Sequence, residues 1–199
     1  TGHSDGQAVV TAPAAIMADG ARGCVFEQCE IAHVGDYAIW LRNICKDNVI
    51  RQCRIHEVGT GGVRLGVAYC PQSDAVTSSG NVVDNCHIYD GNHVYAGGIG
   101  LWVGQAFGNR ITHNEIHDFT YSGMSIGWNW GDEFNRCREN LIAHNHVHHV
   151  MNHTLNDGGC LYTLGNSPGS IIRGNVFHDA WPWSAMGWGI YLDATTNGY

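Results

Sequence analysis

The sequence predicts an all-β solenoid, a parallel β-helix of about six coils, and three observations predict it. A seven-residue pattern of two mostly apolar residues, two variable ones, a Cys or Asn, a variable one and an apolar one recurs six times in one phase. A short β-prone segment follows every copy, and no helical period intervenes. Glycine supplies 27 of 199 residues, close to twice the ~7% of ordinary proteins, as tight turns and close backbone passage require.

The copies run in order along the chain. The first three are Val25–Ile31, Val49–Ile55 and Val82–Ile88, with Cys29, Cys53 and Cys86 at the fifth position. Arg110–Ile116, Leu141–Val147 and Ile171–Phe177 follow, with Asn114, Asn145 and Asn175 there. The Cys/Asn positions lie 24, 33, 28, 31 and 30 residues apart. The second segments are 38–41, 62–65, 98–101, 123–126, 160–163 and 189–192. Their alternation places Ile39, Val63, Ile99, Met124, Leu161 and Ile190 on one face. Such a coil cannot bury its own apolar side, so coils stack about 4.8 Å apart around a shared core. One domain over residues 1–199 is expected, with coils near 23–46, 47–78, 79–107, 108–137, 138–167 and 168–199. No polar cap is evident at Thr1 and the last coil stops at Tyr199, so the chain reads as the middle of a longer rod.

In this phase Cys29, Cys53 and Cys86 stack in a column that Asn114, Asn145 and Asn175 continue. No Cys-x-x-Cys occurs among the eight cysteines. The column therefore reads as small buried residues and coil-to-coil amide bonds rather than disulfides or a zinc site. A second column runs Ala32, His56, Tyr89, His117, His148, His178, and beside it lie His33, Glu57, Asp90, Asp118, His149 and Asp179. Zinc needs ligands converging on a point, whereas alternate residues of a straight strand stand about 7 Å apart. Turn chemistry is the expected role, with side chains bonding to backbone, and no metal or cofactor is expected.

Composition narrows the partners. The net charge is −8 with Lys46 the single lysine, which leaves no basic patch for nucleic acid. No apolar run spans a membrane. Aromatic and acidic residues crowd the second half: Trp128-Asn129-Trp130-Gly131-Asp132-Glu133, then His153 to Gly159, Trp181-Pro182-Trp183 and Gly187 to Asp193. Rings beside carboxylates and amides suit a carbohydrate, whose C–H faces stack and whose hydroxyls hydrogen-bond.

The stretches Asn140–Val150, Asn156–Gly165, Pro168–Ser170 and Gly187–Asp193 resemble bacterial right-handed parallel β-helix proteins of the pectate-lyase-like superfamily, glycoside hydrolase family 141 in particular. That resemblance covers most of the chain, Trp128–Gly131 included. It implies a right-handed helix and a secreted, periplasmic or envelope enzyme acting on plant or algal polysaccharide, with α-L-fucosidase and xylanase activities in the family. Asp157 and Asp193, in the Asp-Gly-Gly and Tyr-Leu-Asp motifs, are the implied catalytic carboxylates. Trp128, Trp130, His153, Tyr162, Trp188 and Tyr191 are the residues expected to bind substrate. Cys160 and the Ala194-Thr195-Thr196 tail depart from the family pattern.

Glycoside hydrolysis needs one carboxylic acid and one carboxylate, ~5–5.5 Å apart for retention and ~6.5–9.5 Å for inversion. Asp157 precedes Leu161 by four residues and Asp193 follows the equivalent Ile190 by three. On a straight strand that offset is about 23 Å, so the flanking turns must fold over one face for the pair to meet. Glu133, with Asp132, is the reserve. The alternatives are a Ca²⁺-assisted polysaccharide lyase, with His117, His148 or Tyr162 as base, and a non-catalytic carbohydrate-binding or surface module.

Overall fold

The computed structural model describes residues 3–131 and 133–199, and it is a stack of parallel strands in three long sheets. Each seven-residue copy is a strand, a corner and the start of the next strand. The first sheet holds Val25–Glu27, Val49–Arg51, Val82–Asp84, Arg110–Thr112, Leu141–Ala143 and Ile171–Arg173. The second holds Glu30–Val34, Arg54–Val58, His87–Tyr89, Glu115–Phe119, His146–Val150 and Val176–Ala180. The third comprises Ala14–Ala18, Tyr37–Leu41, Val63–Leu65, Leu101–Val103, Met124–Ile126, Gly158–Thr163 and Gly187–Leu192. Every pairing within these sheets joins one coil to the next in register, as stacking of incomplete units requires.

The corners explain the repeat. Gln28, Gln52, Asn85, His113, His144 and Gly174 all have positive φ, between 52° and 63°, and turn the chain from the first sheet into the second. The residue after each is the Cys/Asn column. Asn114 Nδ2 donates to Asn145 Oδ1 at 3.0 Å, and Asn145 Nδ2 donates to Asn175 Oδ1 at 2.9 Å. Each amide also donates to a carbonyl of the preceding coil. All eight cysteines are unpaired thiols; Cys53 and Cys86 are buried in the column, while Cys29 at its end is exposed. Burial pushes the Cys86 thiol up to about 12.

A second amide column precedes the first sheet, which the heptad reading overlooked. Asn48, Asn81, Asn109 and Asn140 bond in series and end on Ser170. Each follows a positive-φ residue, namely Asp47, Gly80, Gly108, Glu139 and Gly169. The signal was one residue upstream of each apolar pair.

Inward side chains of the three sheets form one continuous core, with Ile50, Ile55, Val83, Ile88, Ile111, Ile116, Ile142 and Val147 fully buried. Burying each contributes about 1.5–3 kcal/mol. The third-sheet column is Ile39, Val63, Leu101, Met124, Leu161 and Ile190, so Leu101 replaces the expected Ile99. A bend at Gly100 turns Ile99 out to the other side of the sheet, where it packs with Trp102. Glycine is required there because an added Cβ would lie 2.5 Å from Ile116 Cγ2 and 2.7 Å from the Gly123 carbonyl oxygen.

The column of His33, Glu57, Asp90, Asp118, His149 and Asp179 also has positive φ throughout, which supports a turn role. Its acids bond imidazoles rather than backbone: His117 Nδ1 lies 2.7 Å from Asp118, and His178 Nδ1 lies 2.7 Å from Asp179.

One acid clip fastens the earliest coils. Asp19 accepts from Arg42, from the Asn43 backbone N–H at 3.0 Å and from the Asn43 amide at 3.1 Å. The Arg42 hydrogen bond holds its carboxyl down at about 2, against desolvation. Because the folded-state pKa is depressed, this stabilisation is present above pH ~4 and is lost as pH falls toward 2. Asp19→Asn is therefore expected to lower the melting temperature modestly at pH 7 and not at pH 2, as measured by circular dichroism.

Candidate functional site

The site lies on the outer side of the third sheet. Residues between the inward ones form an outward column that runs Met17, Trp40, Arg64, Trp102, Ser125, Tyr162 and Tyr191. Arg64, Trp102, Ser125 and Tyr162 are nevertheless buried, because the N-terminal segment with its short 3-10 helix Gln7–Val9 lies across them. Arg64 donates to the Val10 and Ala12 carbonyls at 2.8 Å each, and its guanidinium sits 3.8 Å from the Trp40 ring centroid. Tyr37 donates to the Ala8 carbonyl at 2.6 Å. Nothing in the heptad pattern announced this cover; the one hint was an arginine placed between Val63 and Leu65.

Asp157 immediately precedes the strand Gly158–Thr163, and Asp193 immediately follows Gly187–Leu192. The two strands pair with Tyr162 opposite Tyr191. The tyrosines then cross between coils. Tyr191 of the later coil donates to Asp157 Oδ1 at 2.9 Å, and Tyr162 of the earlier coil donates to Asp193 Oδ2. Tyr121 donates to the Asp157 carbonyl at 2.7 Å. Burial pushes the Tyr191 phenol above its usual value, and hydrogen bonding to Asp157 and to Asp193 pushes it further. A positive φ at Asp157 turns the chain just before the strand starts.

The neighbouring glycines make room for this arrangement. A Cβ on Gly159 would stand 2.2 Å from the Trp188 carbonyl oxygen, and one on Gly158 would stand 2.6 Å from Ser122 Oγ. A groove of about 320 Å³ runs from Asp157 and Asn156 along Tyr121, Gln7, Asp5 and Tyr95. Among the described residues, Trp102 Nε1 and Ser125 Oγ, buried on the same column, have no hydrogen-bond partner.

The remaining predicted residues divide into three groups. Trp188 stacks on Tyr191 at 4.1 Å between ring centroids, beside the carboxylates and partly exposed. Trp128 is buried edge-on between Trp102 and Trp130, so it supports the exposed Trp130 ring rather than presenting a face of its own. His153 stacks on Trp181 at 5.8 Å and shares no hydrogen bond with Asp157 or Asp193. Glu133 folds back on Gly131 and lines a separate cleft with Trp130 and Phe134. Asp132 lies outside the described residues. The sequence reading missed Tyr121, Gln7 and the rest of the N-terminal cover.

Residues 10–199 match the family described as right handed beta helix region. The chain belongs to the right-handed β-helix family. A solved structure named glycoside hydrolase is similar to this β-helix with a TM-score of 0.76 and 25% identity over 81% of the chain. The match covers 28% of that protein, so the β-helix described here spans little more than a quarter of its length. No curated protein matches the sequence. Among the described residues, no helix is long and apolar enough to cross a membrane.

Proposed function

We propose that this β-helix is a glycoside hydrolase that cleaves plant or algal polysaccharide or oligosaccharide, with Asp157 and Asp193 as its two carboxylates. The observation that carries the reading is the crossed pair of hydrogen bonds, Tyr191 to Asp157 and Tyr162 to Asp193, made by tyrosines that pair across adjacent coils. One carboxylic acid protonates the leaving glycosidic oxygen as the C–O bond breaks. The other carboxylate attacks the anomeric carbon or takes a proton from the attacking water. The first course requires carboxylates ~5–5.5 Å apart and the second ~6.5–9.5 Å. Trp188 beside Tyr191 offers a ring face for a sugar in the adjoining position. The solved structure named glycoside hydrolase supports the same class. A polymeric substrate fits a secreted or envelope location.

A lyase is less well supported. Its tyrosine base would have to ionise, yet burial and the adjacent acids push Tyr162 and Tyr191 upward. Arg64, on the same column, is spent on backbone carbonyls instead of facing a uronate. Incubation with a panel of plant and algal polysaccharides and aryl glycosides separates the readings. Hydrolysis gives reducing ends without ultraviolet absorbance. Unsaturated products sensitive to chelator point to a lyase and overturn the proposal, and glycan binding without any product points to a binding module and does the same.

A further inference from the structure

A second cluster of reactive side chains lies on the second sheet, apart from the Asp157–Asp193 pair. Register brings His87, Glu115 and His146 into one column, and Tyr89, His117, His148 and His178 into the adjacent column of the same face. The ligand atoms that a single strand holds about 7 Å apart are thus supplied across coils, only about 4.8 Å apart. Glu115 stands at the centre. Its Oε2 lies 3.7 Å from His87 Nε2, and its Oε1 lies 3.5 Å from His148 Nε2 and 3.8 Å from His146 Nδ1. His87 Nε2 and His117 Nε2 are 2.7 Å apart. His87, Glu115 and His117 each offer one atom within 4.8 Å of the others, and so do Glu115, His146 and His148.

A further observation comes from the far side of the His117 ring. Its Nδ1 is 2.7 Å from Asp118 Oδ2, which holds the Nδ1–H tautomer and turns the Nε2 lone pair toward His87 and Glu115. A carboxylate behind an imidazole is the usual outer partner of a metal-bound histidine, fixing its tautomer and orientation. Two imidazoles and a carboxylate suit late first-row divalent ions. In a tetrahedral Zn²⁺ site neighbouring ligand atoms stand about 3.4 Å apart, so small ring rotations from 2.7 and 3.7 Å reach that geometry.

We propose that His87, Glu115 and His117 bind a late first-row divalent cation, with Zn²⁺ as its model, and that His146 and His148 offer a second position on the other oxygen of Glu115. The side chains of Glu115, His87 and His146 are partly exposed, so an ion from solvent reaches them without unfolding, and water completes its coordination.

The test is calorimetric titration of the purified protein with Zn²⁺, accompanied by a thermal melt. Saturable uptake of one or two ions per chain is expected, with a rise in melting temperature. Glu115→Gln combined with His117→Gln should weaken binding at least tenfold. Asp118→Asn, which touches no ion, should weaken it about 10–100-fold through loss of orientation. His144→Gln, at the corner that follows the first-sheet strand Leu141–Ala143, should leave binding unchanged. A flat titration, uptake without saturation, or equal affinity in the double variant overturns the proposal. Because circular dichroism of each variant checks its fold and these residues are remote from Asp157, failure here leaves the hydrolase reading standing.

Discussion

Asparagine in place of Asp157 or Asp193 is expected to lower kcat by roughly 10²–10⁴-fold, the range that a positioned acid or base supplies. Asparagine keeps an acceptor oxygen, so Tyr191 and Tyr162 retain their bonds and the crossed arrangement survives. Glycan affinity should persist, and the melting temperature should move little. The two variants need not behave alike. Loss of a nucleophile leaves no route that added azide can replace except by forming a glycosyl azide, whereas loss of the acid is relieved by substrates with good leaving groups. Tyr191→Phe should cost less than either, because it removes a shared donor and leaves both carboxylates. Reducing-sugar release under saturating substrate measures all three. Activity near wild type in both Asp variants, with Glu133→Gln inactive, would move the chemistry to the Trp130 cleft and sink the assignment.

How far the sequence could go is clearest from these same residues. The heptad and its phase located the first two sheets, since apolar pairs and the Cys/Asn position recur wherever the chain turns. The third sheet was legible except at its first strand, Ala14–Ala18, which follows no heptad copy, and at Ile99, where a bend at Gly100 defeats simple alternation. The site was legible as motifs and not as geometry. Asp157 and Asp193 sit at opposite ends of paired strands, and what ties each to the neighbouring coil is a tyrosine side chain reaching across, which no motif announces. The N-terminal cover carries no repeat, so periodicity could not place it. The histidine column was visible, but its convergence is a property of stacking. A rule drawn from one strand puts alternate side chains too far apart, and the coil spacing supplies the missing distance.

The second large effect concerns the amide column. Asn114 accepts the Cys86 N–H at 3.0 Å, donates to the Val83 carbonyl at 2.9 Å and donates to Asn145 Oδ1 at 3.0 Å. Asn114→Ala leaves the buried Cys86 N–H without its acceptor and takes one of two donors from the Val83 carbonyl, where water has no access. An orphaned group costs about 1–3 kcal/mol, so a loss of about 2–4 kcal/mol is expected once the cavity is included. Cysteine should be the mildest replacement. In the preceding coils Cys53 Sγ lies 3.5 Å from the Phe26 carbonyl oxygen and Cys86 Sγ lies 3.6 Å from that of Ile50, the counterparts of the Val83 oxygen that Asn114 contacts. The single thiol proton also has a nearer acceptor in its own coil, the Arg51 carbonyl at 3.3 Å from Cys53 and the Asp84 carbonyl at 3.4 Å from Cys86, so a thiol keeps a shared donor toward the preceding coil and gives up the acceptor. Asn114→Cys is expected to cost about half as much as Asn114→Ala, and Asn114→Asp to cost the most because it buries a charge without a cation. Urea unfolding followed by circular dichroism and by tryptophan fluorescence measures the order. Both probes are needed because stacked coils can unfold in parts, and five of the seven tryptophans, Trp128, Trp130, Trp181, Trp183 and Trp188, lie beyond the substitution. If alanine and cysteine were equivalent, the donor role assigned to the thiols would be wrong and the column would be held by packing alone.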